Sequence, residues 1–339
     1  MSSRTTPRGL RRLGTALAAL AIGATALTAC GSDKADDASG KENAAATAGA
    51  FPRTVKHAMG ATEIPSQPKR VVVLDTGELD SVTMLGIKPV GAVSPHFKTA
   101  GGFPGYLADK VEGAKDVGPL LEPNLELIAS LKPDLILSSK VRHEKVYDKL
   151  KGIAPTVFTE TTGGPWKANL KVHAEALGLE KQAAEALTKY ETDAKALGAA
   201  IKAKYHGTMP SASVVRFVAG PTRLYQKSAY SGVVLDDIGL ARPESQSSTD
   251  PEVTMLDVSP EQIDKAEADL VFVTLADEPS KTKQKDVTSN PVWKSLKAVK
   301  NGKVFSVPDE TWMSGIGVQA AEHMLADVAK ATGVELPKQ

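Results

Sequence analysis

The sequence predicts an α/β protein of two three-layer lobes with mainly parallel sheets, joined by a single long α-helix. Three observations carry this. Short apolar runs rich in Val, Leu and Ile alternate with helical patterns in both halves of the chain, the arrangement that builds parallel sheets covered by helices. Residues 166–205, near the middle, hold no proline and only two glycines, Gly178 and Gly198. One spaced motif also occurs twice, once in each half.

Two segments precede the lobes. The first thirty residues carry Arg4, Arg8, Arg11 and Arg12, no acid, and an apolar stretch over residues 13–27. Interrupted by Gly14 and Gly23, that stretch falls short of a permanent membrane span of about 20 residues and reads as a signal peptide, residues 1–30. It ends in Leu27-Thr28-Ala29-Cys30-Gly31, small residues ahead of a thiol that can take a diacylglyceryl group, a string that resembles the bacterial lipobox. Cys30 is accordingly expected to be lipidated, and the protein to be exported and anchored at the extracytoplasmic face of the cell membrane. As the only cysteine in the chain, Cys30 also excludes an intrachain disulfide and a cysteine-rich zinc site. Residues 31–50 are small or polar and cannot build a core, so they read as a flexible tether. The full chain has a formal charge of +1, to which the leader arginines contribute more than the whole, so the remainder is mildly acidic. No field for nucleic acid is implied.

The N-terminal lobe is expected over residues 51–163. Its pattern is a strand at 71–74, a helix ending at Leu85-Gly86 and a strand at 89–93. A Gly-rich loop, a helix at 124–131, a strand at 134–138, a polar helix through Leu150 and a strand at 156–158 follow. The connecting segment is 164–206, where Ala183, Leu187, Tyr190, Ala194, Leu197, Ile201 and Tyr205 recur at helical spacing. Beyond it, 207–339 form the C-terminal lobe, with strands at 213–218, 270–274 and 304–307.

The repeat ties the lobes together. Asn124-Leu-Glu126-Leu-Ile128 lies eight residues, glutamate to aspartate, before Asp134-Leu135-Ile136. Ser259-Pro-Glu261-Gln-Ile263 lies equally far before Asp269-Leu270-Val271. Asn124 and Ser259 are N-cap residue types and Pro260 suits the first helical position. Glu126 and Glu261 then fall in first turns, where the helix dipole favours an anion.

Several catalytic readings fail. Leu74-Asp75-Thr76-Gly77 has the string of an aspartic protease half-site, but no second copy exists. His143-Glu144 opens a zincin-like string in which Tyr147 stands where the second histidine must be. The glycines at 101, 102, 105, 315 and 317 lack the frame of a dinucleotide site, and no P-loop is present. Six scattered histidines offer no paired ligand spacing, so no direct metal site is expected.

The chain resembles the iron-siderophore and cobalamin class of ABC-importer binding proteins over about residues 65–335. The likeness rests on Lys69-Arg70-Val-Val-Val-Leu74, on Glu122-Pro-Asn-Leu-Glu126 with Lys132-Pro-Asp134-Leu135, on Asn301-Gly302-Lys303-Val304, and on the loop around Trp312. It implies two lobes on one rigid helix, a ligand cleft between them, no enzyme activity and no cofactor. The implied partners are a permease dimer with separate ATPase subunits, docked through Glu126 and Glu261. The implied cargo is an Fe(III)-siderophore held by Arg216, Trp312 and Arg142, with Trp166, Tyr225 and Tyr230 as further aromatic candidates. Arg216 also stands out unaided: inside an apolar run its charge is costly unless it meets a salt-bridge partner or a ligand oxygen. Leu120 stands where some hydroxamate binders carry an arginine, and Arg142 is expected to compensate. With two arginine candidates, a hydroxamate such as a ferrioxamine is favoured over tricarboxylate or tris-catecholate complexes. The alternatives are a haem- or cobalamin-binding protein of the same class and a surface α/β enzyme.

Overall fold

The computed structural model describes residues 49–94 and 102–336, so the signal peptide, Cys30 and nearly all of the tether lie outside the described residues. The first elements are an antiparallel hairpin that the sequence reading did not contain, β1 (Arg53–His57) and β2 (Gly60–Ile64). Only Val55, Thr62 and Ile64 are buried there, a pattern too sparse to announce strands.

The first sheet has the order β5-β4-β3-β6-β7, all parallel. Its strands are β3 (Val71–Val73), β4 (Gly91–Ser94), β5 (Lys115–Pro119), β6 (Leu135–Ser139) and β7 (Thr156–Thr159). Side chains alternate across a strand, so the apolar run splits between two faces. Val71 and Val73 enter one core with the helices Thr76–Met84 and Trp166–Leu177. Val72 and Leu74 enter another with Ile128, Ile136 and Leu150. Burial on both faces explains why β3 reads as a continuous apolar run.

The second sheet has the order β10-β9-β8-β11-β12. Here β8 (Ala212–Phe217), β11 (Leu270–Leu275) and β12 (Val304–Ser306) run parallel, as expected. Two short strands, β9 (Thr222–Tyr225) and β10 (Met255–Val258), join antiparallel at one edge. These were not read from the sequence, because their four residues mix Thr, Arg and Asp with the apolar positions.

The expected single helix over 166–205 is two: Trp166–Leu177 and Glu180–Lys204. Gly178 ends the first in the left-handed conformation, φ 71°, its amide turned back to the preceding turn. A Cβ at Gly178 would stand 2.7 Å from the Phe51 ring. The second helix, 25 residues long, buries Ala183, Leu187, Tyr190, Ala194, Leu197 and Ile201, the stripe the spacing predicted. The C-terminal helix Val318–Thr332 packs on it and on Thr76–Met84.

The repeat is a structural one. Asn124 caps the helix Leu125–Ser130 by accepting from Leu127 N at 2.9 Å. Its counterpart, Pro260–Ala266, is a 3₁₀ helix, with Ile263 and Ala266 buried three residues apart, the spacing that eclipses in a 3₁₀ turn. The two aspartates also do the same thing: Asp134 accepts the amides of Lys69 and Arg70, both at 2.8 Å, and Asp269 accepts the Ser211 amide at 2.8 Å. Each pins the chain entering the first strand of its sheet.

Candidate functional site

The carboxyl ends of β3, β6, β8 and β11 and the loop 313–316 enclose a cavity of about 650 Å³, the place where open α/β sheets bind ligands. Asp75 follows β3 and caps the helix Thr76–Met84, accepting from Thr76 N at 2.7 Å. Arg142, just beyond β6, donates Nε–H to Asp75 Oδ2 at 2.9 Å across the cavity floor. Arg142, expected to compensate for Leu120, lines the cavity together with it, and Leu120 adds an apolar wall.

Arg216 projects from β8. Its Nε and Nη2 donate to the two carboxylate oxygens of Asp309, each at 2.7 Å, and its Nη1 donates to the Tyr225 hydroxyl at 3.1 Å. Burial, the largest single influence, opposes its charge, but Asp309 and Tyr225 together outweigh it and hold the guanidinium protonated above its ordinary range. Arg216 is therefore ion-paired, and it lines the cavity. Tyr225 lines the cavity as well.

A third guanidinium escaped the sequence reading. Arg223 on β9 stands directly opposite Arg216 in the antiparallel register and lines the same cavity. Like charges placed opposite each other cost stability, and Asp257, in register with Arg223 on β10, lies 3.5 Å from its Nε. Strand β9 was missed, so its arginine was missed with it; the Thr222/Leu224 alternation was the available signal.

Trp312, Trp166 and Tyr230 are placed differently from the cleft wall expected for them. Trp312 is fully buried, stacks on Phe272 with centroids 4.5 Å apart, and donates its indole N–H to Asp327 at 2.8 Å. Its hydrogen-bond partner on the C-terminal helix draws it into the core, and its neighbours Met313 and Ser314 line the cavity instead. Trp166 packs edge-on against Tyr190, midway along the long helix, and Tyr230. Tyr230 is buried and donates to Gly317 O at 2.8 Å. These aromatics support the cavity loop from behind. Ile316 takes φ 41°, a strained value for a β-branched residue. The Thr76 hydroxyl donates to Ser314 O and Tyr230 holds Gly317, so anchors on both sides offset that strain.

Glu126 and Glu261 lie on the exposed surface, in first turns as expected. A hydrogen bond from Ser259 holds Glu261 below the usual carboxylate range. His143 of the failed zincin string is an interior residue, bonded to Ser138 Oγ at 2.6 Å and to Leu120 O at 2.7 Å. Among the described residues no three His, Cys, Asp or Glu side chains converge as a metal site, and no helix is long and apolar enough to cross a membrane.

Known proteins share this architecture. Residues 71–311 match the family described as periplasmic binding protein. The chain is 40% identical over 287 residues to the probable siderophore-binding lipoprotein YfiY of Bacillus subtilis (strain 168), covering 81% of this chain and 86% of that protein. It is 30% identical to the Fe(3+)-citrate-binding protein YfmC of the same organism, covering 93% and 95%. Among solved structures, Staphylococcus aureus SirA complexed with staphyloferrin B superposes with a TM-score of 0.77 at 39% identity, covering 84% of this chain and all of that one. On the matched span, the two-sheet fold and the cleft position, the chain belongs to the periplasmic binding protein family.

Proposed function

We propose that the chain is the extracytoplasmic, lipid-anchored binding protein of an ABC importer, that it captures a ferric siderophore of hydroxamate type, and that it delivers the complex to a permease dimer with separate ATPase subunits. It acts as a carrier and not as an enzyme, in keeping with relatives named as binding proteins. The observation that carries the hydroxamate reading is electrostatic. Arg142, Arg216 and Arg223 face Asp75, Asp309 and Asp257, and Asp277 lines the wall too. The cavity therefore offers directed N–H donors with no large surplus of positive charge. A ferric trihydroxamate suits such a wall, because its ligands neutralise the iron and leave only partial charge on outward carbonyl and N–O oxygens.

A second reading, a carboxylate chelate, is favoured by Arg223 and by relatives named for Fe(3+)-citrate and staphyloferrin B. Tryptophan-fluorescence titration of the lipid-free protein separates the two. Ferrioxamine is expected to bind about tenfold or more tighter than ferric dicitrate and ferric staphyloferrin B, and the reverse order would establish the carboxylate reading.

Anchoring rests on Cys30 at the end of the leader. Cys30→Ala is expected to release the protein from membranes or leave the precursor uncut, with cleft binding unchanged in the soluble domain. Unaltered detergent partitioning of the variant would contradict lipidation at this site.

A further inference from the structure

A much smaller cavity, of about 10 Å³, lies behind the wall of the large one. It is lined by Glu78 and Ser81 of the helix Thr76–Met84, by Trp166, Asn169 and His173 of the helix Trp166–Leu177, and by Ile316. Ile316 lines both cavities and so partitions them. A Cβ added at Gly77 would stand 3.3 Å from Ile316 O, so the loop lies directly on the turn that carries Glu78. Glu78, Trp166 and His173 are each only 2% exposed. Among the described residues the Trp166 indole nitrogen and both ring nitrogens of His173 find no hydrogen-bond partner. Glu78 Oε1 stands 3.8 Å from His173 Nε2, too far for a direct hydrogen bond. The other two polar side chains donate elsewhere, Ser81 to Gly77 O at 2.9 Å and Asn169 to Thr161 O at 2.8 Å. Buried polar groups in native interiors are satisfied by protein or by ordered water, and a polar cavity of this size accommodates one water.

We propose that this cavity is the site of one structural water that accepts from the Trp166 indole and bridges Glu78 to His173, and that the bridged group holds Ile316 as the wall of the cargo cavity. The inference does not depend on which chelate is carried. The protonation states suit a water. Burial keeps the His173 ring neutral, pushing it down to about 3. Burial and then the charge of Asp75 push Glu78 up to about 8 against the opposing influence of Arg142, so its carboxyl keeps a proton at neutral pH. A water accepts twice and donates twice: it can accept from the Trp166 N–H and the Glu78 O–H and donate to the bare nitrogen of neutral His173.

A crystal structure of the ligand-free, lipid-free protein at a resolution that orders water tests the site. One density peak is expected within hydrogen-bond distance of Trp166 Nε1, a His173 ring nitrogen and a Glu78 carboxyl oxygen. No peak, or a peak touching only one of the three, would overturn the proposal. Glu78→Met keeps bulk and removes the bridge, so the peak should vanish and Ile316 should leave its positive φ; an unmoved Ile316 would overturn the positioning role. Should that variant fail to fold, His173→Leu removes the bridge from the other helix and carries the same expectation.

A pH profile of unfolding tests the proton. The groups facing Glu78 are His173, Asp75 and Arg142; Asp80, on the same helix and faced by Tyr106 and Lys110, is pushed up by burial to about 7. A carboxyl raised in the fold makes stability fall as pH climbs from its unfolded to its folded value. Between pH 7 and 8, where the Asp80 contribution is largely spent, the wild-type folding constant should fall about fivefold through Glu78. Glu78→Gln, which keeps a neutral bridging group, should remove most of that fall and retain the peak. An equal fall in both proteins would place no proton on Glu78 and overturn the proposed network.

Discussion

Replacing both Glu126 and Glu261 with lysine is expected to abolish uptake of the ferric chelate while leaving its affinity for the purified protein nearly unchanged. The two carboxylates are exposed, and each sits in the first turn of a short helical segment, behind Asn124 in one lobe and Ser259 in the other. That turn holds unpaired amides and the positive end of the local dipole, so a carboxylate there is stabilised and presented outward. A partner that carries a matching arginine for each lobe would read both at once. Lysine substitutes like charge for attraction at both contacts, and like-charge juxtaposition costs several kcal/mol in an interface. Neither residue lines the cavity, so binding and delivery should separate cleanly. Radioactive iron uptake in cells, set beside fluorescence titration of the same variants, checks this. Normal uptake would place docking elsewhere, and a large affinity loss would tie these helices to the cleft.

Arg216→Ala is expected to weaken ferrioxamine binding about ten- to a hundredfold, the effect of losing one charge-assisted hydrogen bond of roughly 1.5–3 kcal/mol. The ion pair adds a consequence for stability. The sequence left open whether Arg216 meets a salt-bridge partner or a ligand oxygen. In the fold it holds Asp309 by two bonds of 2.7 Å, and both side chains are largely buried. Deleting one partner leaves the other charged and desolvated, which costs about 3 kcal/mol or more. The apo protein should therefore unfold at a lower temperature. Adding Asp309→Ala to Arg216→Ala should recover much of that stability and none of the affinity. Equal recovery of both would make Arg216 a structural residue, and the cargo would then have to be held by Arg142 and Arg223.

Much of this architecture was legible because it is written in local periodicity. The stripe from Ala183 to Ile201 is buried as its spacing required, and the paired Glu-to-Asp spacing foretold two lobes on one plan. Contacts between residues distant in sequence were not legible. Asp309, the partner of Arg216, lies 93 positions away, and nothing beside either residue announces the other. Strand β9 is four residues long and carries Arg223 among them, so a segment too short for a clear period concealed a cavity residue. Trp312 was misplaced for a related reason: a tryptophan suits a cleft wall and a core equally well, and its indole partner, Asp327, sits on a helix that sequence alone could not dock. The break at Gly178 was visible as a glycine, but its left-handed conformation depends on the following helix turning away.

The most direct measurement is a crystal structure of the lipid-free protein grown with ferrioxamine. The expected result places the iron in the cavity between the lobes, coordinated by the chelate alone. Arg142 and Arg216 should lie within hydrogen-bond distance of hydroxamate oxygens, with no side-chain atom bound to the metal. Iron held by a protein side chain, or a chelate bound away from these arginines, would contradict it.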